Sequence, residues 1–204
     1  MKLAVFDFDS TLVDAETIEE LAKAHGVGQE VINTTELAMA GKADFYTSLI
    51  SRAGLLKGMD AKHAQEICQN LPLHKGALEV VQGLQALDYR VVCLSGGFKW
   101  ATGHFKEKLG LDADFSNTLH MSGGVLTGEV SGPLMRGDSK AEILASLQSL
   151  LRPKHTLAIG DGANDIGMFK LANVSVAFNA KEITKKAATF IAQSLDLQEV
   201  LEHA

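Results

Sequence analysis

Short apolar runs separated by helical patterns are the feature of this chain that most limits its fold. Four such runs are continuous rather than alternating between apolar and polar residues, and they lie at 3–6, 90–94, 156–159 and 174–178. Continuous apolar runs are typical of parallel strands that are buried on both faces of a sheet. The pattern therefore predicts an α/β fold with a doubly wound, Rossmann-like parallel sheet.

The segments between these runs carry apolar residues at helical spacing. The predicted helices of this part lie at 76–87, at 98–109, at 139–151 and after Asp161. The first of them has four apolar residues at that spacing, which are Leu78, Val81, Leu84 and Leu87. The third begins with Ser139-Lys140-Ala141-Glu142, a pattern typical of a capping box.

The stretch between the first two runs is too long for one crossover. Residues 14–75 hold about 60 residues with little strand character, whereas a crossover needs a dozen or somewhat more. Apolar residues recur there every three or four positions, at 15–25, 29–40, 44–53 and 60–70. We therefore expect an all-helical cap domain at 14–75, inserted into a catalytic core formed by 1–13 and 76–204.

Glycines around a short apolar run mark a second, smaller feature at 123–130, with the sequence Gly-Gly-Val-Leu-Thr-Gly-Glu-Val. Such a pattern predicts a β-hairpin, here a small flap. The two cysteines, Cys68 and Cys93, lie in apolar stretches and are predicted to be buried thiols.

Charge and composition narrow the range of partners. The 204 residues include 19 Lys and Arg against 25 Asp and Glu, a net charge of −6, which gives no general attraction to nucleic acid or to an anionic membrane. No run reaches the roughly 18 apolar residues of a membrane span, and the first residues lack the long uncharged segment of a secretory signal. We expect a cytoplasmic protein that holds any anionic substrate with a few well-placed positive groups.

Two carboxylates follow the first apolar run, in the sequence Asp7-Phe8-Asp9-Ser10-Thr11. Residues two apart in an extended chain project to the same side, so Asp7 and Asp9 share the strand end where open α/β sheets bind ligands. Like charges at this distance repel unless a cation or a proton lies between them. The alternative is a turn in which the carboxylates cap the next helix.

A possible anion site follows the second run at Ser95-Gly96-Gly97. Backbone N–H groups at a strand-to-helix turn can bind a phosphate, and Ser95 adds a hydroxyl donor. The alternative is an ordinary tight turn capped by Ser95. Lys140 lies in the first turn of a predicted helix, where a cation opposes the helix dipole. An anion nearby would explain a lysine at this position. The alternative is a solvated surface lysine.

A third motif, Gly160-Asp161-Gly162-Ala163-Asn164-Asp165, follows the run at 156–159. A helix that begins at Asp161 would place Asp161, Asn164 and Asp165 on one face. Oxygen ligands of this kind suit Mg²⁺ bound together with phosphate oxygens. A role for Asp161 as a helix cap would leave Asn164 and Asp165 unexplained. Together the four motifs predict a phosphoryl-transfer site.

These motifs resemble those of the haloacid dehalogenase superfamily, whose phosphatases carry D-x-D-x-T, a strand-end Ser or Thr, a Lys and G-D-x-x-N-D in this order. The resemblance implies that Asp7 attacks phosphorus and that Asp9 is the acid/base. It also implies that Mg²⁺ binds Asp7, the Asp9 backbone carbonyl and Asp161, with Asp165 supporting the site. The residues that it implies for the phosphate are Ser95, Gly96, Lys140 and Asn164.

Within the superfamily the motifs are most similar to those of the phosphoserine phosphatases. That likeness implies hydrolysis of O-phospho-L-serine, the last step of serine biosynthesis, through an aspartyl-phosphate. In the cap it implies Glu16 for the substrate amino group and Arg52 for the carboxylate, with Met39 and Phe45 as an apolar lid. Glu16 and Arg52 could instead be surface charges on cap helices.

Two other functions stay open from the sequence. One is a related phosphatase or phosphotransferase that acts on a different small phosphomonoester. The other is a non-catalytic module that binds a phosphorylated ligand, against which the retention of both Asp7 and Asp9 argues. Both a monomer and a homodimer remain compatible with the sequence.

Overall fold

A seven-stranded sheet forms the centre of the computed structural model, which describes residues 1–40 and 42–204 and, at Met39, the backbone only. Its strands are β1 Lys2–Phe6, β2 Tyr89–Phe98, β3 Ala113–Ser122, β4 Val125–Ser131, β5 Thr156–Gly160, β6 Val174–Ala177 and β7 Phe190–Ile191. They lie in the order β4-β3-β2-β1-β5-β6-β7. All neighbours are parallel except β3 and β4, which are antiparallel. The predicted parallel α/β sheet is confirmed.

The two faces of the sheet bury two separate apolar clusters. Along β1, Ala4 and Phe6 belong to one cluster, and Leu3 and Val5 belong to the other. All four are fully buried, because successive residues of a strand point to opposite faces. This burial explains why β1 is a continuous apolar run rather than an alternating one.

Nine α-helices occur in the described part of the chain. They are α1 Thr17–His25, α2 Gly28–Met39, α3 Phe45–Leu55, α4 Ala61–Gln69, α5 Ala77–Ala86, α6 Lys99–Leu109, α7 Ser139–Leu151, α8 Ile166–Leu171 and α9 Glu182–Lys185. Helices α5 and α6 cover one face of the sheet, and α7 and α8 cover the other. Helices on both faces make the sheet doubly wound, as the sequence predicts.

The segment between β1 and α5 is helical, with α1 to α4 close to the four predicted ranges. The chain leaves and re-enters the sheet region through two neighbouring segments. The Asp14 N–H donates to the Pro72 carbonyl at 2.8 Å, and the His74 N–H donates to the Leu12 carbonyl at 3.0 Å. The division into a core (1–13 and 76–204) and a cap (14–75) remains a prediction at these boundaries.

The predicted hairpin is present as β3 and β4, joined by Gly123 and Gly124, which both have left-handed φ angles. Backbone hydrogen bonds attach it to the loop between α3 and α4. The Leu126 N–H donates to the Met59 carbonyl at 2.8 Å, and the Ala61 N–H donates to the Gly124 carbonyl at 2.9 Å. The flap therefore contacts the helical segment directly.

One local prediction about a helix start is wrong and another is confirmed. No capping box forms at the start of α7, because the Ser139 hydroxyl accepts from the Arg136 N–H and the Glu142 carboxylate binds the Arg136 guanidinium at 2.7 Å. The helix predicted after Asp161 is present as α8, and a 3₁₀ turn at Ala163–Asp165 precedes it.

Helix α5 buries a different stripe from the one that the predicted spacing suggests. Val81 and Leu84 are buried, whereas Leu78 and Leu87 are 40% and 45% exposed. Ala77 and Val80 complete the buried face of this helix instead.

Cys68 and Cys93 are buried free thiols, as predicted. In the described part of the chain, no helix combines the length and the apolar character that crossing a membrane requires.

Candidate active site

Asp7 lies directly after β1, at the carboxyl end of the central strand, and is 5% exposed. Its Oδ1 accepts from the Phe8 N–H at 2.6 Å and lies 2.7 Å from Lys140 Nζ. Burial, followed by the nearby Asp165 carboxylate, raises the pKa of Asp7 well above its usual value, while Lys140 acts in the opposite direction. With Oδ1 held by two donors, Oδ2 is the oxygen available to react.

Lys140 is a buried cation between two carboxylates, 2% exposed. Its Nζ donates to Asp165 Oδ1 at 2.6 Å as well as contacting Asp7. Burial lowers the pKa of Lys140, but the charges of Asp165 and Asp7 outweigh it, so the pKa is raised and the amine stays charged. The interpretation of Lys140 as a surface lysine is therefore wrong.

Asp165 also organises the backbone of its own turn. Its Oδ2 accepts from the N–H groups of Asp161 and Gly162, both at 2.9 Å. A Cβ at Gly160 would lie 2.4 Å from the Asp165 carboxyl carbon, so only glycine lets this side chain fold back onto the strand end. The turn thus brings Asp161 and Asp165 together although no helix begins at Asp161.

Oxygen atoms of Asp7, Asp161 and Asp165 all lie within 4.8 Å of one another, and all three residues are buried. Burial and then the charges of Asp7 and Glu16 raise the pKa of Asp161 well above its usual value. Buried carboxylates this close to one another are stabilised by a cation, and an all-oxygen donor set suits a hard divalent ion. The residues present therefore fit a divalent metal.

The turn Ser95-Gly96-Gly97 borders this site next to Asp9. The Ser95 hydroxyl accepts from the Gly97 N–H at 2.8 Å and donates to Asp9 Oδ2 at 3.3 Å. A Cβ at Gly97 would lie 2.6 Å from Asp9 Oδ2, so glycine permits this close approach. The turn lies in the last part of β2, where the sequence places a strand end.

Asp9 is held by the first residue of α1. Its Oδ1 accepts from both the N–H of Thr17, at 2.7 Å, and the Thr17 hydroxyl. Burial raises the pKa of Asp9, although the hydrogen bonds from Thr17 act in the opposite direction. A raised pKa favours the protonated form that an acid needs.

Glu16 and Arg52 enter the same pocket from the helical segment. The Glu16 carboxyl accepts from the Ser10 hydroxyl at 2.8 Å, and burial followed by the Asp9 charge raises its pKa to about 8. Arg52 is 3% exposed and donates to the Thr35 hydroxyl at 3.0 Å and to the Ser48 carbonyl at 3.2 Å. Neither residue is an ordinary surface charge.

One pocket with about 430 Å³ of empty volume, part of it open to solvent, joins these groups. Its lining residues are Asp7, Asp9, Glu16, Ile18, Phe45, Leu49, Arg52, Gly96, Gly97, Phe98, Asp161 and Asn164. Asn164 is buried, and its Oδ1 has no hydrogen-bond partner among the described residues. Phe45 covers Gly96, where an added Cβ would lie 2.7 Å from the Phe45 ring.

Most predicted site residues therefore meet at one place, and the side chain of Met39 lies outside the described part of the structure. Thr17, which binds Asp9 from the start of α1, is not among the predicted site residues. Ile18, Leu49 and Phe98 in the pocket wall are not among them either. The available signal for Thr17 was its place at the first position of the helix that follows the Asp7–Asp9 pair.

Known proteins are similar in sequence to this chain over nearly its whole length. Residues 1–173 match the model of the haloacid dehalogenase-like hydrolases. The chain is 55% identical over 205 residues to the phosphoserine phosphatase of Wolinella succinogenes, with 100% of both chains covered. It is 42% identical over 204 residues to the phosphoserine phosphatase of Methanocaldococcus jannaschii, with 99% of this chain and 97% of the relative covered.

Solved structures agree with the sequence relatives. A phospho-aspartyl intermediate analogue of phosphoserine phosphatase superposes with a TM-score of 0.96 at 42% identity, covering 99% of this chain and 98% of the other. A substrate-bound phosphoserine phosphatase complex gives the same TM-score and identity, with 99% and 97% covered. The chain therefore belongs to the haloacid dehalogenase-like hydrolases and, within them, to the family of the phosphoserine phosphatases.

Proposed function

We propose that this protein hydrolyses O-phospho-L-serine to L-serine and phosphate, with Asp7 as the nucleophile. The observation that carries the proposal is the pairing of Asp7 with the buried Lys140 at 2.7 Å, because Asp7 lines the same pocket as Glu16 and Arg52. The core residues supply phosphoryl chemistry, and the two charges from the helical segment match an ammonium and a carboxylate. The relatives named phosphoserine phosphatase support this substrate.

In the first step, Asp7 Oδ2 attacks phosphorus and the bond from phosphorus to the seryl oxygen breaks. Asp9 gives its proton to that oxygen, so L-serine leaves as a neutral alcohol. The raised pKa of Asp9 supports its protonated form at the start. The product on the enzyme is an aspartyl-phosphate, which divides one difficult hydrolysis into two easier steps.

In the second step, water attacks the aspartyl-phosphate while the Asp9 carboxylate, now deprotonated, accepts a proton from that water. The bond between Asp7 and phosphorus breaks, phosphate leaves and Asp9 is protonated again. Thr17 holds Asp9 through Oδ1. Oδ2 accepts only the longer hydrogen bond from the Ser95 hydroxyl, at 3.3 Å, so Oδ2 is the oxygen that exchanges the proton. Lys140 offsets negative charge on Asp7 and on the transferred group.

The phosphate contacts in this proposal come from Ser95, the Gly96 amide, Lys140 and Asn164. Asn164 lines the pocket, and its Nδ2 is a donor of the kind that a phosphate oxygen accepts from. We also propose that the metal is Mg²⁺, held by Asp7, the Asp9 backbone carbonyl and Asp161, with Asp165 orienting the turn. When bound, the ion supplies Lewis-acid stabilisation of charge on the phosphoryl oxygens.

In the cap, Glu16 binds the substrate ammonium and Arg52 binds its carboxylate. Phe45 covers the bound substrate, and the division into core and cap at 14–75 belongs to the same proposal. A cytoplasmic location is also part of it. A monomer and a homodimer are both compatible with the mechanism, because one chain carries every proposed group.

The test is phosphate release from a panel of phosphorylated metabolites in the presence of Mg²⁺. We expect phosphoserine to have the highest kcat/KM, and added alcohol acceptors to receive no phosphoryl group. A higher kcat/KM for a phosphomonoester without an amino acid group would reject the substrate. Phosphate release that persists after removal of all divalent metal would reject the cofactor.

A further inference from the structure

The phosphate-binding turn is a bulge in strand β2. Next to β3, Leu94 pairs with Phe115, and the following pair is Phe98 with Asn117. The β2 chain therefore advances four residues where β3 advances two. The extra residues belong to the turn Ser95-Gly96-Gly97, and a bulge removes such residues from the ladder of backbone hydrogen bonds.

Asn117 replaces the hydrogen bond that the bulge removes. Its Nδ2 donates to the Gly96 carbonyl at 3.0 Å and to the Leu134 carbonyl at 3.0 Å. Its Oδ1 accepts from the Leu134 N–H at 3.0 Å. The side chain is fully buried and uses three of its hydrogen-bonding positions, so its orientation is fixed.

The loop that precedes α7 closes over this amide. A Cβ at Gly132 would lie 2.5 Å from Asn117 Oδ1, so only a glycine at this position lets the loop pass so close to the amide. The same loop leads to Lys140 at the start of α7. Asn117 thus connects the turn of β2 to the segment that carries the buried lysine.

We propose that Asn117 is a positioning residue that holds the phosphate-binding turn in its bulged form. Glycine is the least conformationally restricted residue type. Without this hydrogen bond, the turn at Gly96 and Gly97 therefore samples other backbone geometries. Phosphate binds only the fraction of molecules that hold the bulge, and the apparent affinity falls with that fraction. The inference rests on the proposed role of the turn in phosphate binding.

The test is direct calorimetric titration of the full chain with inorganic phosphate at saturating Mg²⁺, and separately with L-serine. For Asn117→Ala we expect phosphate to bind about tenfold more weakly, since of the three hydrogen bonds lost, the one to the Gly96 carbonyl holds the turn. We expect the affinity for L-serine to change by less than about twofold, because no serine contact involves the turn.

A matched control is Ser175→Ala, which removes another buried side chain that bonds a backbone N–H, that of Thr189 at 2.9 Å. We expect it to lower the unfolding midpoint without changing phosphate binding. Unchanged phosphate binding by Asn117→Ala, or equal weakening of phosphate and L-serine, would overturn the inference.

If Asn117→Ala does not fold, Asn117→Ser takes its place, since a small polar side chain leaves room for water at the Gly96 carbonyl. Failure of both variants to fold would make Asn117 a purely structural residue and reject the inference. Absence of phosphate binding by the unsubstituted protein would instead reject the proposed phosphate site, and this inference with it. Normal phosphate binding by both the unsubstituted protein and the Asn117 variants would reject this inference alone.

Discussion

The two walls of the pocket differ in how their charges are balanced. On the core side, Lys140 contacts Asp7 and Asp165 at 2.7 and 2.6 Å. On the cap side, Arg52 and Glu16 bind neutral groups, the Thr35 hydroxyl and the Ser10 hydroxyl. Within the described residues, neither Arg52 nor Glu16 has an oppositely charged group within 4.0 Å.

The difference shows which ligand each wall is prepared for. Burying an ion without a partner is costly, and burial accordingly lowers the pKa of Arg52. A zwitterionic ligand would supply the missing partner for each cap residue. On the core side, one lysine faces several carboxylates, so the missing partner there is a cation.

Removing the nucleophile should have the largest effect. We expect Asp7→Asn to lower kcat by at least about 10⁴-fold, because the amide cannot form the covalent intermediate. The measurement is phosphate release under single-turnover conditions, with the unfolding midpoint as a check on folding. Release at even a tenth of the normal rate would remove Asp7 from the mechanism.

The metal site gives the next largest effect. We expect Asp161→Asn to raise the Mg²⁺ concentration for half-maximal activity by about 100-fold, since a direct ligand should matter at least as much as its supporting groups. The control is Asp112→Asn, which removes the same charge from a carboxylate that binds Arg90. Equal Mg²⁺ titrations for the two variants would place the metal elsewhere.

The separation of contacting residues along the chain explains what the sequence could predict. Apolar runs and the polar residues directly after them are local signals, so β1, β5 and the carboxylates at Asp7 and Asp161 could be predicted. Contacts made by partners distant in the chain could not, as for Thr17 with Asp9 and Asn117 with Gly96.

The incorrect predictions have a similar origin. The capping box fails because Arg136, outside the motif, binds Glu142. The pattern at 123–130 marks the turn of the hairpin and β4 but not the length of β3, because the outer half of β3, at 118–122, is exposed except for Leu119 and leaves no apolar run. Strand β7 has two residues, both exposed, and so leaves no apolar run.

Arg52 tests the cap side of the comparison. We expect Arg52→Ala to lower kcat/KM for phosphoserine by about 50-fold, because a desolvated charge pair is lost. Phosphoethanolamine, which lacks the carboxylate, should lose less than about fivefold. Arg52→Lys keeps the charge but not the planar fork. Its kcat/KM for phosphoserine should lie between that of the unsubstituted protein and that of Arg52→Ala. Equal losses on both substrates would mean that Arg52 supports the cap rather than reading the carboxylate.

The smallest effect concerns the protonation of Glu16. With its pKa at about 8, the carboxyl is mostly neutral at pH 7 and becomes charged as the pH rises, so ammonium binding should improve with pH. We expect kcat/KM for phosphoserine to rise about eightfold from pH 7 to pH 8.5, as the charged fraction of one group does. Glu16→Gln should remove this rise, and a phosphoester without an amino group should not show it. A rise that persists in Glu16→Gln would assign it to Asp9 or to the substrate, and the cap would then read only the carboxylate.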